Sequence, residues 1–264
     1  MVDRRRILLA GLALMALASA AEGQGARIVR IGVARDADAE LLAAAQATGL
    51  RNGVRIESVR FADGAQAGAA LVAGRIDASI AQHAPALARV HASGRSALVA
   101  VAHTVTYPMG LYSRNADRLA ALPAGASVAL PADAEGQGRA LLLLHHHGLI
   151  RLDTSAGLQP RLADIRANPR RLKFQSLAQA RLAPALANTA LVAMPFDAAA
   201  AAGLAPARDA IGMEDARVPF ANVLAVRAQD REAPWVAATV RSLHADTVKG
   251  FILTRFNDSV RRPW

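Results

Sequence analysis

Arg139 follows the stretch PADAEGQG (131–138), in which Gly136 and Gly138 let a backbone approach a ligand closely. A helix expected to start near Arg139 adds unpaired amide donors, and a guanidinium there is a planar, permanently charged fork matched to a carboxylate. Together these describe an anion site for a carboxylate or a phosphate. The plainer reading is a surface arginine at a helix start, where its charge sits slightly unfavourably against the helix dipole. It is not a Walker loop, because the Gly-x4-Gly-Lys-Ser/Thr pattern is absent. Gln82-His83 falls just past the carboxyl end of an expected strand, where it would face the mouth of a cleft; a lone histidine there also serves structural ends. His145, His146 and His147 are adjacent on a helix and point about 100° apart, so they cannot all ligate one ion, and no metal is expected. Asp77 reads as a turn residue. Asp133 and Glu135 share a loop, but a hydrolytic pair also needs a substrate geometry that spacing does not show. No Gly-x-Ser-x-Gly, His-Glu-x-x-His or close Ser/His/acid grouping occurs, so an enzyme finds little support and no cofactor is implied.

The elements that must position these groups alternate strand and helix, twice over. Arg27–Val33, Val54–Phe61 and Ile76–Ala81 read as strands, separated by helices over Asp36–Thr48 and Ala65–Ala73. A second round has strands at Ser127–Leu130, Leu172–Leu177 and Ala190–Met194. Its helices run over Gly138–His147, with Gly148 as the stop, and Ala178–Asn188. Each round is βαβαβ, the unit of a parallel sheet covered by helices. Leu98–Ser113 and Phe220–Arg227 are apolar extended runs flanking the second round, which suggests two chain crossings between two lobes. The last forty residues read as helices over Trp235–Leu243 and Asp246–Phe256. The expected architecture is α/β and two-lobed: residues 27–106 with 228–264 form one lobe, and 107–227, including the crossings, form the other. A ligand cleft is expected between them.

Composition narrows the classes. Of 264 residues, 53% are apolar and 20% charged, ample for a core, while aromatics at 4% argue against a single-strand nucleic-acid binder. The formal charge of +10 comes from dispersed arginines with no basic cluster, so no nucleic-acid partner is expected. There is no cysteine, which excludes disulfides, thiolate catalysis, iron–sulfur clusters and lipid attachment through a cysteine. Residues 1–20 read as a cleaved signal peptide: Arg4–Arg6, an apolar run from Ile7 to Ala18, then Ala18-Ser19-Ala20. Cleavage there leaves a charge of +8. Arg4-Arg5 also loosely resembles a twin-arginine signal, and the general secretory route is the preferred reading.

Longer stretches carry a resemblance. GRIDASIAQHAPAL (74–87), LVAVAHTVTYPMGLYS (98–113), GRALLLL (138–144), GLI (148–150), LADIRANPRRLKF (162–174), AGLAPARDAI (202–211), FANVLAVR (220–227) and the ending RFNDSVRRPW are similar to the methionine-binding lipoprotein family, periplasmic components of ABC importers. The resemblance covers nearly the whole mature chain. It implies a type II periplasmic binding protein fold, one small-molecule ligand bearing a carboxylate, delivery to an inner-membrane permease, and a monomer. Arg139 matches the arginine that clamps the ligand carboxylate, His83 a cleft histidine, Asn222 an asparagine on the second crossing and Tyr107 an aromatic at the first. Departures fall on the pocket: Gly64, Ala81 and Ala86 stand where the family has aromatic residues, and Pro195 where it has an asparagine. A carboxylate bulkier than methionine is therefore the expected ligand. With no cysteine to acylate, the protein is expected to be periplasmic without a lipid anchor. A receptor serving a membrane sensor, or a cleft enzyme using His83 as a base on a small acid, are the alternatives.

Overall fold

The β-branched residues of Arg27–Val33 set up strand β1, whose Val29, Ile31 and Val33 are fully buried. The computed structural model describes residues 25–92, 97–215 and 218–264; the expected signal peptide, residues 1–20, lies outside them. After β1 come α1 (Asp36–Arg51), β2 (Val54–Arg60), α2 (Gly64–Val72), β3 (Ala78–Ser79), α3 (Ala84–Ala92) and β4 (Leu98–His103). The chain then crosses to β5 (Gly110–Tyr112), β6 (Ser127–Pro131), α4 (Ala134–His146), β7 (Arg151–Leu152), β8 (Ile165–Ala167) and β9 (Lys173–Leu177). It continues through α5 (Gln179–Ala185), β10 (Leu191–Met194), α6 (Phe196–Ala201), α7 (Pro206–Asp209) and β11 (Gly212–Met213). It returns through β12 (Val223–Arg227) and ends in α8 (Pro234–Leu243) and α9 (Asp246–Phe256).

Two five-stranded sheets result, ordered β2-β1-β3-β12-β4 and β11-β5-β10-β6-β9. In the first, β1 pairs in parallel with β2 and β3, and β12 runs antiparallel between β3 and β4. In the second, β6 pairs in parallel with β9 and β10, and β5 is antiparallel to β10. Each βαβαβ round thus forms the parallel half of one sheet, as the alternation predicts. Helices cover both faces, and each sheet has apolar clusters on its two sides. Val29, Ile31 and Leu42 pack toward α1, α8 and α9 in the first lobe, while Leu71, Ile76 and Val223 form the layer under α2. Val128, Leu130 and Leu141 fill one side of the second lobe, and Val192, Leu182 and Met194 the other.

Two boundaries differ from the sequence reading. Val223–Arg227 belongs to the first lobe's sheet, not to the second lobe with the crossing. The apolar run from Phe220 carries no mark where crossing ends and strand begins; the register with β3 and β4 decides it. Helix α4 starts at Ala134 rather than near Arg139, because Asp133 caps it by accepting from the Gly136 amide at 2.7 Å. The two glycines of PADAEGQG are therefore helical, and Arg139 stands on the second turn, away from the free amides.

The crossings, residues 104–109 on the one side and the described residues 214–215 and 218–222 on the other, meet at Thr104, Val105 and Asn222. The Thr104 amide donates to the Asn222 carbonyl and the Asn222 amide to the Val105 carbonyl, both at 2.8 Å. The C-terminal tail straps the first crossing: Thr106 and Arg261 exchange backbone hydrogen bonds of 2.8 and 2.9 Å, and the Trp264 indole donates to the Thr104 carbonyl at 2.6 Å.

Candidate functional site

Parallel strands aim the loops at their carboxyl ends into the gap between lobes. From the first lobe, the loop after β3 presents His83, which forms an antiparallel bridge with Asn222 of the second crossing. The Ala86 amide donates to His83 Nδ1 at 3.1 Å, so the ring caps the start of α3 and its Nε2 carries the proton. Asn222 is buried; its amide nitrogen donates to the Ile80 carbonyl at 2.9 Å, and its side-chain oxygen takes no hydrogen bond among the described residues.

From the second lobe, the first two turns of α4 present Glu135 and Arg139 four residues apart, on one helix face. The close approach of α4 to its own cap requires a glycine at 136: a Cβ there would stand 2.6 Å from Pro131 Cβ and 2.8 Å from an Asp133 carboxylate oxygen. Arg139 is mostly enclosed. Its Nε and Nη2 hold both carboxylate oxygens of Glu214, at 3.1 and 2.5 Å, and Nη2 also donates to the Tyr107 carbonyl at 3.1 Å. Glu214 in turn accepts from the Met109 amide at 2.8 Å, so this buried pair is satisfied on both sides. The guanidinium lies 4.7 Å from the Phe220 ring centre, and His83 meets the same ring edge-on at 5.5 Å. Nη1 has no hydrogen-bond partner among the described residues.

Arg139 and His83 thus meet at the Phe220 ring, with Asn222 bridged to His83. Tyr107 belongs to this centre through its carbonyl alone. Its hydroxyl points the other way and donates to Asp38 at 2.8 Å, with the ring 5.0 Å from both the Arg35 guanidinium and the Phe196 ring. Asp38 is completely buried, and desolvation pushes its carboxyl up from 3.8 to about 6, against the pull of Arg35 and Tyr107. Arg35 also reaches across the lobes to Asp197 at 2.8 Å. A cavity of about 710 Å³ lies on this side of Tyr107, between Arg35 and Glu40 of the first lobe and Phe196, Leu204 and Arg208 of the second. It includes none of Arg139, His83 or Asn222.

The other singled-out residues stay outside this centre. Asp77 accepts from the Arg30 amide at 2.9 Å, a structural turn role. Among the described residues no group of acidic or histidine side chains could hold a metal ion, and His145 makes contacts to the backbone of Ile150 and Leu152. Pro195 caps α6, and Phe196 behind it walls the cavity. At Gly64 the space of the missing ring is filled rather than opened: a Cβ there would lie 2.7 Å from the Ala81 carbonyl oxygen and from Gln82 Cγ. Glu135 also binds His83 Nε2 and the Arg89 guanidinium of the first lobe, and three things escaped the sequence reading: Glu214, Arg89 and this role of Glu135. The i, i+4 spacing of Glu135 and Arg139 was visible; Glu214 lies 75 residues from its partner and had no local signal.

Comparison with known proteins fits this geometry. The chain is 34% identical over 239 residues to the D-methionine-binding lipoprotein MetQ of Escherichia coli K12, covering 89% of this chain and 88% of that one. It is 30% identical to Lipoprotein 28 of the same organism, over 98% of this chain and 95% of the other. Among solved structures, a nutrient binding protein from Burkholderia cenocepacia bound to methionine superposes with a TM-score of 0.78 at 34% identity, over 89% of this chain and all of that one. An ABC transporter periplasmic substrate-binding protein from Coxiella burnetii matches with a TM-score of 0.78 at 35% identity, over 88% and 99%. With the NlpA lipoprotein family model matching residues 29–264, across both lobes and both crossings, the chain belongs to the NlpA lipoprotein family.

Proposed function

We propose that this protein is the solute-binding component of an ABC importer and holds a carboxylate-bearing small molecule, an amino acid, a modified amino acid or a short peptide, between its lobes. The observation that carries the reading is the meeting of Arg139, His83 and Asn222. They come from three distant segments to the facing ends of two mixed sheets, with Nη1 of Arg139 and the Asn222 side-chain oxygen uncommitted among the described residues. An ionised donor and a neutral acceptor suit a carboxylate and a second polar group on the same solute. The relatives that bind methionine by name support the same class of solute.

His83 is not placed to act as a base, since Nδ1 already accepts a backbone proton and Nε2 carries one. The protein is read as a monomeric periplasmic carrier that hands its solute to a membrane permease. No helix among the described residues is long and apolar enough to cross a membrane, and the sequence offers no cysteine for acylation. The charge clamp is kept while positions 64, 81, 86 and 195 rewrite the wall around the solute's side chain, so a larger carboxylate is expected to bind better than free methionine. The test is mass spectrometry of small molecules released on denaturing protein purified from the periplasm. A carboxylic acid in a ratio near one per chain is expected; a solute lacking a carboxylate would overturn the reading.

A further inference from the structure

Glu135 stands in the second lobe, one helical turn before Arg139, yet its carboxylate is bound in the first lobe. One oxygen accepts from His83 Nε2 at 2.5 Å and the other from the Arg89 guanidinium. Those hydrogen bonds and charges hold its carboxyl down at about 2, so it is ionised across the whole neutral range. The His83 Nε2–H and an Nη2 donor of Arg89, which an incoming anion would meet here, are thus already engaged by the protein itself. Glu135 is 38% exposed, so its carboxylate can leave them for water without disturbing either core. Among the described residues the only other ionic tie across the lobes is Arg35–Asp197.

We infer that Glu135 is a resident stand-in for the solute's carboxylate. In the empty protein it occupies His83 and Arg89 and ties the lobes together; a solute must displace it, which makes Glu135 a determinant of both affinity and ligand class. This rests on the reading of His83 as a solute contact. A solute whose acid group reaches both His83 and Arg139 recovers what the displacement costs. One that reaches only Arg139 leaves Glu135 in place and gains less. A tie that favours the closed empty state lowers apparent affinity by the fraction of molecules it keeps occupied.

The experiment compares wild type, Glu135→Ala and Glu135→Gln by calorimetry with L-methionine and with glycyl-L-methionine, and by X-ray scattering without solute. Glu135→Ala is expected to bind at least one of these probes about fivefold more tightly, the weight of a partly exposed charged pair. Its radius of gyration without solute should exceed that of wild type, with Glu135→Gln intermediate in both respects. Weaker binding by both variants would make Glu135 a partner of the solute's ammonium group and overturn the inference. Unchanged affinity with unchanged scattering would overturn it too. If neither probe binds wild type, the scattering comparison decides alone. Arg139→Ala, measured with the same probes, reports on the underlying reading: that variant loses binding if the clamp is right, whatever Glu135 does.

Discussion

Arg139 has two tasks, and substitution exposes both. It neutralises Glu214, which is 3% exposed at its side chain, and in the proposed function its Nη1 binds the solute. Arg139→Ala should weaken solute binding by at least about tenfold, equivalent to about 1.4 kcal/mol. It should also destabilise the fold by about 3–5 kcal/mol, because a buried carboxylate loses its counter-charge. Adding Glu214→Gln should restore most of the stability, read from urea unfolding, but none of the binding; recovery of both would show that Arg139 matters only to folding. Asp38 gives a second test. The unfolded chain releases this proton near 3.8 and the folded one near 6, so between these values the folded state binds more protons and stability falls as pH rises. The loss amounts to about 3 kcal/mol at about 1.4 kcal/mol per pH unit, and thermal melts from pH 4 to 7 should show it in wild type but not in Asp38→Asn. Glu135 has the opposite sign: held at about 2 against 4.5, it contributes stability above pH 4.5 that fades as pH falls through 2.

At the scale of elements, Gly64 shows what was hidden. Three rings missing relative to the family suggest an enlarged pocket, yet the Ala81 carbonyl and Gln82 occupy the space at this position. Gly64→Tyr should therefore destabilise the protein, by about 1–3 kcal/mol in denaturant unfolding, rather than rebuild an aromatic wall. The alternation of strands and helices was legible because period-2 and helical spacing are local properties, and all six strands of the two parallel rounds form. Boundaries were less legible. The third strand, expected over Ile76–Ala81, has only Ala78 and Ser79 in its ladder, and Pro131–Gly138 looked like a loop because two glycines outweighed the Asp133 cap. Arg139 and His83 stood out because each sits at the end of a recognisable strand–helix unit. Their partners did not, since Glu135 lies 52 residues from His83 and nothing in a sequence marks a pairing that only the fold creates.

At the scale of the whole molecule, two lobes joined by two adjacent crossings can open and close only through those strands, and the C-terminal tail is bonded to one of them. The proposed site lies where the lobes face each other, so binding and closure are expected to be one event. Export belongs to this scale as well: N-terminal sequencing of protein from the periplasmic fraction should begin at Ala21, and a chain still starting at Met1 in the cytosol would contradict it. The most direct test of the central claim compares free acids with their methyl esters. Ligand-stripped protein should be titrated calorimetrically with L-methionine, glycyl-L-methionine and the ester of each. The account predicts that at least one acid binds one per chain and that its ester binds at least about tenfold more weakly, because Arg139 loses its charged partner. Equal binding of acid and ester would contradict it.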